Sequence, residues 1–130
     1  MIPTPEDFPR QFTSLWSARD AAGLAALLTE DADFLSLTGR WCEGRKGIEN
    51  TLTAEFAGAF ARARLVTGKG KFRPLGPGAA VLHQRFVLSG LIGDQGQDMG
   101  RIGALMVAVL IAQDAGLQAL SLQFSAVSDG

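Results

Sequence analysis

Between Asp31 and Ile48 the chain packs a short strand, a turn and a second short strand directly against the start of a helix, an order few folds accommodate. Phe34, Leu35 and Leu37 supply the first strand, Thr38-Gly39-Arg40 turns it, and Trp41 begins the return. Gly44-Arg45-Lys46-Gly47 then releases the chain into a helix running from about Lys46 to about Ala61, with an apolar stripe of Ile48, Leu52, Phe56 and Phe60. Before this segment, Phe8, Phe12, Leu15 and Trp16 fall on one helical face. Asp20 is placed to cap a second short helix carrying Leu24, Leu27 and Leu28, which Thr29-Glu30-Asp31 ends. After it, Gly-rich turns divide the remainder into strands over roughly 63–75, 79–91, 99–112 and 117–127, which the spacing predicts to be an antiparallel meander.

A chain of 130 residues is one domain by default and can bury a core without staples. With 19% charged residues, 47% hydrophobic residues and a formal net charge of −1, neither disorder nor a nucleic-acid surface is expected. One cysteine, Cys42, and one histidine, His83, cannot close a zinc site from those ligand types, and a lone cysteine suits a cytoplasmic protein. No metal and no cofactor is expected. Residues 1–20 lack the basic and apolar regions of a secretion signal. The most apolar run, Ile102 to Ala112, is about half the length of a membrane helix, and its Val107, Val109 and Ile111 favour a buried strand. No membrane partner is expected.

Helix-helix-strand-turn-strand-helix followed by four strands, with the Gly44-Arg45-Lys46-Gly47-Ile48 junction, resembles the SnoaL-like branch of the nuclear transport factor 2 superfamily, which also contains ketosteroid isomerases. The resemblance covers nearly residues 8 to 127. It implies an α+β cone, three N-terminal helices packed in a curved, mainly antiparallel sheet, and a single domain over 1–130. Gly116-Leu-Gln-Ala-Leu-Ser-Leu-Gln-Phe-Ser125 resembles the family's final strand, with Leu117 where Trp is usual and Phe124-Ser125 in place of Asn-Thr. His83, in Ala79-Ala-Val-Leu-His-Gln-Arg85, resembles the His often found after such a run. The ketosteroid isomerase chemistry is not carried over. The chain has no Tyr, and Ser36 falls where that enzyme's Asp base would be, although an alcohol is no unassisted base near neutral pH. Leu52 replaces a His common in the family, so the pocket should be more apolar than usual.

Several side chains are candidates for that pocket. Trp16, Trp41, Leu52, Phe56 and Phe60 offer flat apolar surface to an aromatic or polycyclic molecule, although aromatic residues at helical spacing more often form a packed core. Gln123 can donate and accept hydrogen bonds in the pocket or across strands. A neutral His83 can take a proton while Arg85 stabilises the resulting oxyanion; alternatively the two form a hydrogen-bonded sheet face. Glu55, one residue off the helical stripe, is a pocket acid or part of a solvated face. Arg45 and Lys46 could hold a carboxylate or pair with Glu43 and Glu49, and surface pairing is the expectation. Thr67-Gly-Lys-Gly-Lys71 lacks the spacing of a phosphate loop and marks a strand bulge.

Three functions are weighed. One is a SnoaL-like domain that binds a small hydrophobic ligand in the cone; the second is a cofactor-independent isomerase, cyclase or hydratase using His83 as acid or base; the third, a pure oligomerisation domain like the association domain that shares this fold, would show no closed pocket. Alternation puts Leu82, Phe86, Leu88, Leu120, Leu122 and Phe124 together, and an outer face built from them would need a homodimer to cover it.

Overall fold

The computed structural model describes residues 4–114 and 116–127; Met1 to Pro3, part of the segment read for a secretion signal, lie outside them. The elements run α1 (Asp7–Ser17), α2 (Ala21–Ala26), β1 (Leu28–Leu35), β2 (Trp41–Glu43), α3 (Arg45–Ala57), β3 (Arg64–Pro74), β4 (Ala79–Ser89), β5 (Ile102–Gln113) and β6 (Gly116–Val127). They form one mixed sheet in the order β2-β1-β6-β5-β4-β3. The predicted meander from β3 to β6 is present and antiparallel, while β1 joins β6 in parallel. The sheet carries all three helices on one face, the arrangement of an α+β cone.

Local chemistry accounts for the element ends. The Asp20 carboxylate accepts from the Gly23 amide at 2.9 Å and starts α2. That helix is shorter than its periodicity suggested, because Leu28 begins β1 instead. Helix α3 also ends early, at Ala57, leaving Phe60 on the turn beyond it. Between α1 and α2, Arg19 adopts φ 57°, unusual for a residue with a side chain. Its guanidinium offsets that cost by donating to the Ala63 carbonyl at 2.6 Å and the Trp16 carbonyl at 3.2 Å, and by lying over the Trp16 ring at 5.1 Å.

The core is an aromatic wedge. Phe12 sits 6.2 Å from Phe86 and 5.8 Å from Phe124, ring to ring, and Trp16 contacts Phe56 and Phe60, each at 5.4 Å. These contacts decide which sheet face looks toward the helices. Leu82, Phe86, Leu88, Leu122 and Phe124, grouped above as an outer face, are buried against the helices instead. Of that set only Leu120 is exposed. Strict alternation in β6 fails because the β5–β6 register shifts between Val109↔Ser121 and Leu110↔Ala119, leaving Leu120 as an extra residue. Ala119 therefore shares the buried face with Leu122 and Phe124.

The bulge expected at 67–71 is present, with the β3–β4 register shifting between Thr67 and Gly70. Gln84, buried, holds it by donating to the carbonyls of Gly68 at 2.9 Å and Lys69 at 3.2 Å. A Cβ on Gly70 would lie 2.3 Å from Gln84 Oε1, which is why this strand position has no side chain. Among the described residues no helix is long and apolar enough to cross a membrane, and no cluster of three or more His, Cys, Asp or Glu is placed to hold a metal.

Candidate functional site

At the interior of the cone, α1, α3 and the sheet leave a cavity of about 10 Å³. Phe12, Trp16, Phe34, Leu52, Phe60, Leu65, Leu88 and Phe124 make its apolar wall, and Ser36, Leu37 and Glu55 complete it. Three expected pocket residues, Trp16, Leu52 and Phe60, therefore line it. Phe56 stands behind them, edge-on to Trp16. The volume matches about one water, far below the few hundred Å³ that hold a small organic ligand, so the aromatic side chains fill the cone they were expected to open.

The remaining expected site residues lie elsewhere. Cross-strand pairing aligns Lys71, His83, Val107, Gln123, Leu35 and Trp41 in one row across the sheet. Paired residues point to the same side, and this row points away from the helices. His83 and Gln123 thus share a face with each other but not with the cavity, and Arg85 is on the same outer side two residues further along β4. Trp41, at the end of the row, is 58% exposed, with its indole Nε1 directed to Glu43 Oε2 at 3.4 Å. Nor do Arg45 and Lys46 pair with Glu43 and Glu49. Arg45 Nε donates to the Leu28 carbonyl at 3.2 Å, and the one ion pair among the described residues joins Arg10 to Asp7. Cys42 is buried and directs its thiol to Thr51 Oγ1 at 3.1 Å.

The polar part of the cavity comes from residues that the sequence reading weighed less. Glu55 is only 5% exposed. The Thr38 hydroxyl donates to Glu55 Oε2 at 2.5 Å, Ser36 Oγ lies 3.0 Å from Thr38 Oγ1, and the Arg40 amide donates to Ser36 Oγ at 3.1 Å. The turn that brings them together is set by the backbone, with the Ser36 amide donating to the Arg40 carbonyl and Gly39 at φ 90°. Glu55 Oε1 is buried with no partner among the described residues. The signal for Glu55 was present in the spacing: Ile48, Leu52 and Glu55 at i, i+4 and i+7 follow the 3.6-residue period, and they are the buried positions of α3.

This architecture is a nuclear transport factor 2-like, or cystatin-like, fold, as structural comparison shows. No protein-family profile and no curated protein matches the sequence. An uncharacterized protein with a cystatin-like fold from Caulobacter vibrioides superposes with a TM-score of 0.85 at 15% identity, covering 95% of this chain and 87% of the other. A nuclear transport factor 2-like protein from Novosphingobium aromaticivorans gives 0.75 at 17% identity, covering 96% and 80%. A proposed scytalone dehydratase from the same organism gives 0.79 at 13% identity, covering 95% and 81%. At these identities the likeness is one of fold.

Proposed function

We propose that this chain is a SnoaL-like domain that binds one small, mainly apolar molecule in the interior of its cone. The observation that carries this reading is a cavity walled by aromatic and aliphatic side chains with a single polar cluster at one side. Such a combination holds a ligand by area and orients it by one group. Binding requires the wall to yield, and Leu37 is the one lining residue that is not fully buried, so entry lies beside the Ser36–Arg40 turn. Because the present volume is small, a single-ring ligand suits the site better than a polycyclic one. No cofactor is part of this reading, and the buried Cys42 thiol accords with a cytoplasmic setting.

The same proposal includes a homodimer through the outer sheet face. Val81, Val87, Leu105, Val107, Val109 and Ile111 form its half-buried apolar centre, and His83 Nδ1 is buried there with no partner among the described residues. Lys71 and Arg73 stand at the β3 edge of this face, and Asp33 and Glu43 at the β1–β2 edge. A two-fold axis along the strands lays each basic edge over the other copy's acidic edge, whereas an axis across them opposes like charges.

The enzymatic alternative, with His83 as acid or base, would have to use a substrate on the outer face, since no side chain of that row reaches the cavity. Native mass spectrometry of protein purified from its own host tests the binding reading. A dimer carrying reproducible extra mass that denaturation releases is expected; a bare monomer would defeat both parts of the proposal. His83→Ala should leave affinity for a cone ligand unchanged, and a drop of about tenfold or more would restore the histidine to the site.

A further inference from the structure

We infer that Glu55 is the hydrogen-bond acceptor of the cone and that the ligand it selects carries a proton donor, of the phenol type, on an otherwise apolar ring. The inference rests on the pocket reading above and adds the polarity of the site.

Counting protons around the cluster leads to it. Thr38 has one hydroxyl hydrogen, and it goes to Glu55 Oε2. Thr38 Oγ1 is therefore the acceptor in its contact with Ser36, so Ser36 spends its own hydrogen there. Ser36 Oγ in turn accepts from the Arg40 amide. The chain runs in one direction, from the Arg40 amide through Ser36 and Thr38 to Glu55, and no donor in it is left for Oε1. Glu55 lines the cavity with aromatic and aliphatic carbon around it, and its Oε1 is buried and without a partner among the described residues. A buried acceptor left unpaired is costly, which gives a ligand donor more to contribute there than it would at a surface.

Water is a poor occupant. The donors of the cluster are all spent, so a water's own lone pairs would find no hydrogen there, and Glu55 Oε1 is the one polar atom of this cavity with no partner among the described residues. One unpaired acceptor beside a carbon wall, with Ser36 Oγ already bonded, instead matches an aromatic ring bearing one hydroxyl. A ligand that brings only an acceptor would place two lone-pair-bearing atoms against each other. The site therefore discriminates by the direction of one hydrogen bond rather than by shape alone.

Phenol, toluene and benzonitrile have similar rings and present a donor, no polar group and an acceptor respectively. Titration calorimetry with the three should be run on the unmodified chain, on Leu37→Ala, which widens the entrance, and on Glu55→Gln. Phenol is expected to bind about tenfold or more tightly than toluene, with benzonitrile weakest. Leu37→Ala should improve all three and keep their order. Glu55→Gln can keep the bond from Thr38 through its amide oxygen while turning an N–H toward the cavity, so benzonitrile should gain about tenfold relative to phenol. Equal binding of phenol and toluene would overturn the role of Glu55 and leave the pocket standing. Preference for benzonitrile in the unmodified chain would show that Oε1 donates, and would overturn the inference in the same way. No binding of any of the three, even by Leu37→Ala, would remove the pocket itself.

Discussion

Along β4, Leu82, Gln84, Phe86 and Leu88 alternate with Val81, His83, Arg85 and Val87, and the two sets have opposite surroundings. The first is sealed by helices of the same chain, with Phe86 reached by Phe12. The second has no covering element among the described residues, yet its valines are half-buried by their neighbours and His83 Nδ1 is shut off from solvent. Both sides of the sheet are apolar at the centre, so hydrophobicity does not distinguish the face that makes the core from the outer face. What distinguishes them is ring volume. Phe86 and Phe124 face the helices, whereas Val81, Val107 and Val109 make a flatter outer surface suited to another sheet.

Substitutions on the two sides should therefore fail differently. Phe12→Ala removes the ring that joins Phe8, Phe86 and Phe124, and should lower stability by about 3 to 5 kcal/mol in denaturant unfolding. That loss should not depend on protein concentration, because the wedge is internal to one chain. A strong concentration dependence would mean that the helix side, too, is completed by a partner.

A smaller effect is expected where Gln84, on the helix-side row, leans out to the β3 bulge. In Gly70→Ala the new methyl would meet Gln84 Oε1 at 2.3 Å and force the amide off the carbonyls it holds, at a cost of about 1 to 2 kcal/mol. Combined with Gln84→Ala, the same substitution should cost little more than Gln84→Ala by itself. Additive losses in that cycle would show that the bulge is held by something other than the amide.

The smallest effect belongs to the edges of the outer face. Exchanging Lys71 and Arg73 together for Glu should leave unfolding of the single chain within about 0.5 kcal/mol, as is usual for exposed charges. It should weaken dimerisation severalfold at low salt in sedimentation experiments, and the difference should shrink as salt rises. Dimerisation indifferent to the exchange at every salt concentration would remove the proposed orientation of the two copies.

The parts of the molecule read correctly from the chain are those governed by neighbours in sequence. The β1–β2 hairpin feeding α3, the Asp20 cap, the bulge at 67–71 and the four long strands each depend on residues a few positions apart. Glu55 was legible too, at i+7 from Ile48, but a longer stripe through Phe56 and Phe60 competed with it until α3 ended at Ala57. His83, Arg85 and Gln123 show the opposite case. Alternation correctly groups His83 with Arg85 on one face, since parity is a property of the strand alone.

Which face that is depends on where α1 and α3 land, a matter of long-range packing that no local pattern encodes. Leu120 adds the same lesson within β6, where one extra residue in the register reverses the parity of everything before it. The sequence by itself thus determined the elements, their order and the alternation within each strand, because those follow from backbone geometry over a few residues. Only the tertiary structure decided that aromatic rings would fill the cone, that a carboxylate would stand inside it, and that the lone histidine would face outward, because each depends on contacts between segments far apart in the chain.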